Sequence, residues 1–287
     1  MSRPTILVTG AAGQLGVELA RLLSAHGDET ATDRAQLDLT DVDEIVDAVR
    51  ALRPRLIVNA AGYTAVDQAE HEPELADAVN ARAPAILAEE AKRLGALLVH
   101  YSTDYVFDGT AVSPYPEEAP ANPVNAYGRS KLRGEEAIAA IGGTSLIFRT
   151  SWIYGLHGQN FLLTIRRLAI ERDELRIVAD QYGVPNWGRA LAEATSAIVG
   201  RGLFAARERA GLYHLSAQGS ASWFEFARAI VGAVERPRVV PIATAEYPTL
   251  AKRPAYAVLA TRKLEETFGV VLPEWRESLA QCLAGGA

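Results

Sequence analysis

The sequence predicts an α/β fold: a doubly wound parallel sheet with helices on both faces, followed by a smaller C-terminal cap. Two observations support this expectation. Short apolar strand segments alternate with helical segments through the first half of the chain, and this alternation becomes irregular after Ser151. Continuous apolar strands are typical of parallel sheets that helices cover on both faces. Right-handed crossovers between such strands produce the doubly wound form.

The individual elements follow from the spacing of apolar residues. The expected strands are short and rich in apolar or β-branched residues: Thr5–Thr9, Thr30–Asp33, Leu56–Asn59, Leu97–Tyr101, Ser145–Phe148 and Leu212–Ser216. The expected helices carry apolar residues at a spacing of three or four: Leu15–Ala25, Asp41–Leu52, Glu72–Leu94, Ala126–Ile141, Gln159–Ala169, Arg189–Val199 and Trp223–Val234. We therefore expect residues 1–152 to form a Rossmann-type domain, with segments around 187–216 returning to it. Residues 153–287 would form mainly a substrate-binding cap.

Composition excludes several classes of protein. The 287 residues include 29 basic and 35 acidic side chains, giving a net charge of −6 at pH 7. Binders of nucleic acid or anionic membranes are usually basic, so we expect neither partner. The single cysteine, Cys282, excludes an internal disulfide and any multi-cysteine metal site. The residues before the first strand are too few for a signal peptide, and no apolar run reaches the ~18 residues that span a bilayer. The expected location is the cytoplasm.

A glycine-rich loop follows the first expected strand and opens the first helix. Gly10, Gly13 and Gly16 are spaced G-x-x-G-x-x-G. This arrangement permits a tight turn, a close backbone approach to a pyrophosphate, and dense helix–strand packing. An acidic partner for the adenosine ribose is expected about 20 residues later. Asp33 lies there and favours NADH, whereas its neighbour Arg34 could hold a 2′-phosphate and favours NADPH. The sequence leaves the two cofactors open.

A tyrosine and a lysine lie four residues apart in the expected helix 126–141. Tyr127 and Lys131 would share one helical face, and a nearby ammonium favours the phenolate. Lysine is scarce here, with four lysines against 25 arginines, so Lys131 has a raised chance of being required as lysine. The hydroxyls of Ser102 and Thr103 follow the fourth strand and could donate a hydrogen bond to a carbonyl oxygen. All these groups are expected at the same edge of the sheet.

These features occur in the order found in the extended short-chain dehydrogenase/reductase family, which the chain resembles, above all its sugar-nucleotide reductases. The segments that carry the resemblance are the glycine loop 9–16, VNAAGYTAVD at 58–67, STDYVFDG at 102–109, RTSWIYG at 149–155, DQYGVP at 180–185 and Arg253-Pro254. They run from the N-terminus to the tail, so the resemblance covers nearly the whole chain.

The resemblance implies roles at the matching positions. Catalytic roles fall to Thr103, Tyr127 and Lys131, with Tyr127 as the proton donor. Cofactor contacts fall to Gly10, Gly13, Gln14, Leu15, Asp33, Arg34, Asp38, Leu39, Ala60, Gly62, Tyr63, Thr64, Tyr101, Tyr127 and Lys131. Substrate contacts fall to Thr103, Asp104, Trp152, Asn160, Gln181 and Arg253. Arg253 suits a contact with the substrate because a guanidinium binds a pyrophosphate through paired hydrogen bonds.

The resemblance also implies the reaction: reduction by NADPH or NADH of the C4 keto group of a dTDP-4-keto-6-deoxy sugar. Tyr105 stands where related sugar-nucleotide dehydratases carry a glutamate, which favours simple reduction. Another sugar-nucleotide reductase, a 4-epimerase, and a non-catalytic NADP-binding regulatory subunit remain alternatives. The histidines show no ligand-spaced pair, so we expect no catalytic metal: His26, His71, His100, His157 and His214. The expected assembly is a monomer or a homodimer.

Overall fold

The computed structural model describes residues 3–232 and 237–285 and places a parallel sheet at the centre of the molecule. The strands are β1 Thr5–Thr9, β2 Asp28–Thr32, β3 Leu56–Asn59, β4 Leu97–Thr103, β5 Ser145–Thr150, β6 Ile153–Tyr154, β7 Glu174–Val178, β8 Tyr182–Gly183, β9 Asn186–Trp187, β10 Gly211–His214, β11 Ala221–Ser222 and β12 Arg238–Ile242. The helices are α1 Gln14–Leu23, α2 Val42–Leu52, α3 Pro73–Asp77, α4 Ala83–Leu94, α5 Ala126–Ile141, α6 Phe161–Glu171, α7 Gly188–Gly200, α8 Leu203–Arg207, α9 Trp223–Val231, α10 Arg262–Phe268 and α11 Trp275–Ala284.

The central sheet has six parallel strands in the order β10-β5-β4-β3-β1-β2. The order reverses between β1 and β3, because the chain moves outward to β2 and then returns to the other side of β1. Ligands of open α/β sheets bind beyond the carboxyl ends of the strands at such a reversal. The loop after β1 and the loop after β3 are therefore the segments that topology selects for a nucleotide.

Alternate side chains of the strands enter two separate apolar cores. On β1, Val8 packs in a cluster with Leu19 of α1 and Leu191 of α7. Its neighbour Leu7 packs on the opposite face with Ile45 of α2 and Ile138 of α5. This division follows from the two-residue period of a strand. It confirms the expected doubly wound α/β fold, with helices on both faces of the sheet.

The C-terminal half adds three small two-stranded sheets and shares the main core. β12 pairs with β7, β11 with β8, and β6 with β9. Phe226 of α9 and Trp275 of α11 lie in the same apolar cluster as Val8 of the central sheet. The segment 187–216 contributes α7, which packs on α1, and β10, which pairs with β5. The C-terminal half thus packs against the sheet through a shared apolar cluster.

The structure differs from the sequence expectations at several element boundaries. The second strand begins two residues earlier, at Asp28, where the Asp28 amide donates to the Pro4 carbonyl at 2.9 Å. The expected helix 72–94 is interrupted by a π turn over Ala78–Arg82. Such turns widen a helix by one residue and often lie at functional sites. The expected helix 223–234 ends at Val231 as described, and its last residues, 233 and 234, lie outside the described residues.

Over residues 3–232 and 237–285, no helix is long and apolar enough to cross a membrane. The same ranges contain no group of three or more histidine, cysteine, aspartate or glutamate side chains placed to hold a metal ion.

Candidate active site

The glycine loop joins β1 to α1. Gly10 has φ of 74°, and a Cβ there would lie 2.7 Å from the Ala61 backbone, so only glycine fits. A Cβ on Gly16 would lie 2.0 Å from the Gly10 carbonyl oxygen. The first intrahelical bond of α1 runs from the Val17 amide to the Gly13 carbonyl. The preceding amides at the helix start therefore have no intrahelical acceptor and form an anion site together with the helix dipole.

A cleft of about 550 Å³ opens above this loop and contains most of the expected cofactor residues. Those that line it are Gly10, Gly13, Gln14, Leu15, Asp33, Arg34, Asp38, Leu39, Ala60, Gly62, Tyr63 and Thr64. Within the described residues, the Gln14 side-chain oxygen is buried without a hydrogen-bond partner. A buried acceptor in this cleft, next to the amides at the start of α1, fits a nicotinamide dinucleotide, which offers hydroxyl and amide donors.

The residues at the adenosine end of the cleft also have local partners. One Asp33 oxygen accepts from the amides of Ala35 and Gln36 at 2.9 and 3.2 Å, so this carboxylate closes a turn as well as lining the cleft. Hydrogen bonds from Thr40 lower the pKa of Asp38. The Arg34 guanidinium lies 3.6 Å from Asp38 and its side chain is 78% exposed. Arg34 is therefore free to turn toward a phosphate at this end.

Thr103, Asp104 and Tyr127 meet at the carboxyl end of β4. The Thr103 hydroxyl donates to an Asp104 oxygen at 3.0 Å. Burial raises the pKa of Tyr127 to about 12, and the Thr103 hydroxyl opposes that rise. Burial also raises the pKa of Asp104 to about 7, and its second oxygen has no partner among the described residues. Tyr127 is thus held as a neutral phenol, the form that a proton donor requires.

Lys131 connects this group to the cofactor cleft. Its ammonium donates to the Tyr101 carbonyl at 2.6 Å and would lie 4.0 Å from a Cβ built on Gly62, which lines the cleft. Burial lowers the pKa of Lys131 to about 8. The sequence implied that Lys131 lowers the pKa of Tyr127, but in the structure burial dominates and raises it. Tyr101 contributes its carbonyl to this site, because its hydroxyl is bonded to Thr195 in the core at 2.6 Å.

A buried chain of polar side chains supports Lys131 from behind. The Thr9 hydroxyl donates to the Asn59 amide oxygen at 2.7 Å, and the Asn59 amide nitrogen lies 3.1 Å from His100. The other ring nitrogen of His100 lies 3.4 Å from the Lys131 ammonium. Burial, and then the Lys131 charge, hold the pKa of His100 well below its usual range. This series of polar side chains links β1, β3 and β4 to α5, the helix that carries Tyr127.

A second cavity of about 630 Å³ contains two of the expected substrate residues, Gln181 and Arg253. Gln181 donates to the Thr244 hydroxyl at 3.0 Å. The charge of the Arg253 guanidinium opposes the burial-driven rise in the pKa of Tyr105. The Tyr105 ring in turn packs edge-on against Tyr127 with centroids 5.7 Å apart. Tyr105 thus contacts Tyr127 and is reached by the charge of Arg253, which lines the second cavity, while Lys131 lies next to Gly62 of the cofactor cleft.

Trp152 and Asn160 are the remaining expected substrate residues. Trp152 has φ of 40°, an uncommon conformation for a bulky side chain, and its ring stacks on Trp223 with centroids 3.5 Å apart. Trp223 lines the second cavity, so Trp152 supports one of its walls. Asn160 caps α6 by accepting from the Leu163 amide and donates to the Gly155 carbonyl. These bonds give Asn160 a structural role, and its contact with substrate stays a prediction.

Sequence reasoning missed several residues that position the site. Asn80, in the π turn, accepts from the Tyr63 amide at 2.8 Å and donates to Ser130 of α5 at 3.0 Å, which locks the cofactor loop to the catalytic helix. Asp67 binds Arg253 at 2.7 Å, and Gly158 lines the cofactor cleft. A lone asparagine, aspartate or glycine carries no spacing signal, so these residues become visible only when distant segments come together.

The fold and the site define the class: a dinucleotide-dependent oxidoreductase of the short-chain dehydrogenase/reductase type. A glycine loop at the strand reversal, a cleft above it, and a Thr103–Tyr127–Lys131 group at the adjacent strand ends are its defining features. Within this class, the chain belongs to the family described as the RmlD substrate binding domain, whose model matches residues 4–286.

Relatives and solved structures agree with this membership over almost the full length. The chain is 47% identical to a dTDP-4-dehydrorhamnose reductase of Burkholderia thailandensis, over 97% of each chain. It is 40% identical to the protein of the same name from Escherichia coli, over 97% of this chain and 96% of the other. A crystal structure of dTDP-4-dehydrorhamnose reductase from Bacillus anthracis in complex with NADP superposes with a TM-score of 0.91 at 36% identity, covering 99% of this chain and 100% of that one.

Proposed function

We propose that the protein reduces the C4 keto group of dTDP-4-dehydro-L-rhamnose to give dTDP-L-rhamnose, a step toward cell-surface polysaccharide. The observation that carries this proposal is the group of Thr103, Tyr127 and Lys131 at the end of β4, with the Lys131 ammonium next to Gly62 of the cofactor cleft. The names of the similar proteins from Burkholderia thailandensis and Escherichia coli support the choice of substrate. We expect the protein to act in the cytoplasm, where nucleotide sugars are made.

NADPH is the cofactor that the cleft supports best. One Asp33 oxygen already closes a turn, whereas the Arg34 side chain is largely exposed and lines the cleft. Arg34 would hold the 2′-phosphate, the amides following Gly13 would hold the pyrophosphate, and Lys131 would bind the nicotinamide ribose. When bound, the dinucleotide supplies the hydride that reduces the sugar at C4. NADH stays the alternative, because it differs from NADPH in lacking the 2′-phosphate that Arg34 would bind.

The protein's own side chains would handle the carbonyl oxygen. Tyr127 protonates the oxygen as negative charge develops on it, and the Thr103 hydroxyl donates a hydrogen bond to the same atom. Buried Tyr127 keeps its proton until that charge appears, because burial disfavours the phenolate. Lys131 lies next to the cleft and would stabilise the phenolate that remains after transfer. Asp104 would contact the sugar beside Thr103, and Gln181 and Arg253 would hold the nucleotide.

A substrate panel tests this proposal. The protein is incubated with NADPH or NADH and with dTDP-4-dehydro-L-rhamnose, a UDP-linked keto sugar, and a 4-keto epimer. Cofactor oxidation and formation of dTDP-L-rhamnose are measured together. The proposal expects rapid NADPH oxidation with the dTDP-rhamnose precursor and slower oxidation with the others. Preference for another keto sugar would indicate a different reductase, and interconversion of 4-hydroxyl epimers without net oxidation would indicate an epimerase. Tight NADPH binding without turnover of any keto sugar would indicate a regulatory subunit.

A further inference from the structure

Arg253 holds an unusual position in the second cavity, because only one edge of its guanidinium is occupied. One terminal nitrogen, Nη2, donates to Asp67 at 2.7 Å. The other, Nη1, is buried and has no hydrogen-bond partner among the described residues. The side chain as a whole is 16% exposed. A guanidinium presents its donors in a rigid fork that matches phosphate oxygens. Nη1 of Arg253 is therefore a buried donor that an anion would satisfy.

Asp67 fixes the backbone that carries Arg253 as well as its side chain. One Asp67 oxygen accepts from the Ala251 amide at 3.0 Å while the other binds Arg253. Lys252 lies between Ala251 and Arg253 in the sequence, and its carbonyl accepts from the Asn125 side chain at 2.8 Å. Asn125 also caps the helix that begins just before Tyr127, by accepting from the Gly128 amide. The segment 251–253 is thus held from two sides, next to the catalytic helix.

The Asp67–Arg253 ion pair is better suited to positioning Arg253 than to stabilising the fold. The Asp67 side chain is 46% exposed, and ion pairs with exposed members contribute little to folding. Arginine carries a large rotamer freedom that an unrestrained side chain loses on binding a ligand. A carboxylate that holds the guanidinium before the ligand arrives removes part of this cost. The pair is therefore suited to improve ligand binding while contributing little to unfolding free energy.

We propose that Asp67 is a positioning residue, which holds Arg253 so that the unpartnered Nη1 of its guanidinium binds the diphosphate of the substrate. This inference rests on the proposed function, because the nucleotide sugar supplies the diphosphate. The direction of the change in diphosphate affinity on loss of the Asp67 charge also differs from the one that simple electrostatics gives. Asp67 is an anion near an anion site, so loss of its charge alone would tighten diphosphate binding. If Asp67 acts through Arg253, loss of its charge weakens binding instead.

The test uses Asp67→Asn, which keeps the side-chain size and an acceptor for the Ala251 amide. We expect KM for the keto-sugar nucleotide to rise about tenfold, the change that follows loss of one charge-assisted hydrogen bond. We expect kcat and KM for NADPH to stay within about twofold, since neither depends on the diphosphate contact. Calorimetry with dTDP itself should show the same loss of affinity. The matched control is Asp77→Asn, which removes another partly exposed aspartate–arginine pair, with Arg133, outside both cavities.

A double-mutant cycle shows whether Asp67 acts through Arg253. In the Arg253→Ala background, Asp67→Asn should cost no further affinity for dTDP. The inference is overturned if Asp67→Asn binds dTDP as tightly as the wild type or more tightly, if its full effect persists without Arg253, or if the wild type does not bind dTDP. If the wild type binds dTDP but turns over no keto sugar, only the proposed function is wrong. The calorimetric double-mutant cycle would then still test whether Asp67 positions Arg253.

Discussion

The buried ion pair between Glu135 and Arg149 gives a sharp prediction about what holds the catalytic helix in place. Both side chains are 5% exposed. Arg149 of β5 donates to Glu135 of α5 through Nε at 2.9 Å and Nη2 at 2.6 Å, and the Ser102 hydroxyl of β4 donates to the same carboxylate. The pair therefore joins α5 to the two strands whose ends carry Thr103 and the loop of Trp152.

Glu135→Gln keeps the shape of the side chain and removes its charge. The Arg149 guanidinium would then be buried without a counter-charge, and its Nη1 already has no partner among the described residues. Removing one member of a buried pair costs about 3–5 kcal/mol. Glutamine keeps one oxygen for Arg149 or Ser102, so we expect the lower end, about 3 kcal/mol. At roughly 2 °C per kcal/mol for a chain of this size, Tm should fall by about 6 °C.

Urea unfolding and thermal unfolding measure this loss, with Glu171→Gln as the control. Glu171 pairs with Arg167 at the surface, where both side chains are about half exposed or more, so its loss should cost less than about 0.5 kcal/mol. Adding Arg149→Met to Glu135→Gln should recover part of the stability, because the uncompensated charge is gone. Equal stability for Glu135→Gln and Glu171→Gln would refute the reasoning.

Three further predictions follow from the site. Asp104 has its pKa raised by burial from 3.8 to about 7, so the stability linked to it is full below pH 3.8 and is lost as pH rises through 7. In urea titrations, the free energy of unfolding of Asp104→Asn relative to that of the wild type should therefore be higher at pH 8 than at pH 5. A difference in unfolding free energy that does not change with pH would contradict this. Gly16→Ala places a Cβ 2.0 Å from the Gly10 carbonyl oxygen, so stability should fall by about 1–3 kcal/mol and NADPH should bind more weakly in a fluorescence titration. An unchanged dissociation constant would show that the loop does not hold the pyrophosphate. Lys131→Met should reduce turnover at least about 100-fold, and a loss below tenfold in steady-state assays would remove Lys131 from the mechanism.

Local patterns predicted the parts of the molecule that depend on neighbouring residues. The strand segment before Gly10, the helix after it, and the four-residue spacing of Tyr127 and Lys131 are all readable within short windows. The order of the apolar strands was enough for the doubly wound sheet, because parallel strands need helical crossovers. The comparisons confirm the family that these motifs indicated.

The remaining features depend on contacts between distant segments. Asp67 and Arg253 are 186 residues apart in the chain, and the Thr9 and Asn59 side chains that begin the buried polar chain are 50 apart. The π turn that aims Asn80 at Ser130 interrupts the expected helix just before Pro84, whose missing N–H signals a break but not which side chain the break redirects. The raised pKa of Tyr127 was also not predicted from the sequence, because burial depends on packing from the whole fold and Lys131 is not among the groups that shift this pKa.

The role of Tyr127 as proton donor in a keto-sugar reduction is the central claim, and Tyr127→Phe tests it most directly. The measurement compares kcat with NADPH and dTDP-4-dehydro-L-rhamnose, and the affinity for NADPH, in the variant and the wild type. We expect kcat to fall by a factor of about 10²–10⁴ while NADPH affinity changes less than about twofold. A variant that keeps wild-type turnover would contradict the account, because the phenol would then supply no proton to the substrate.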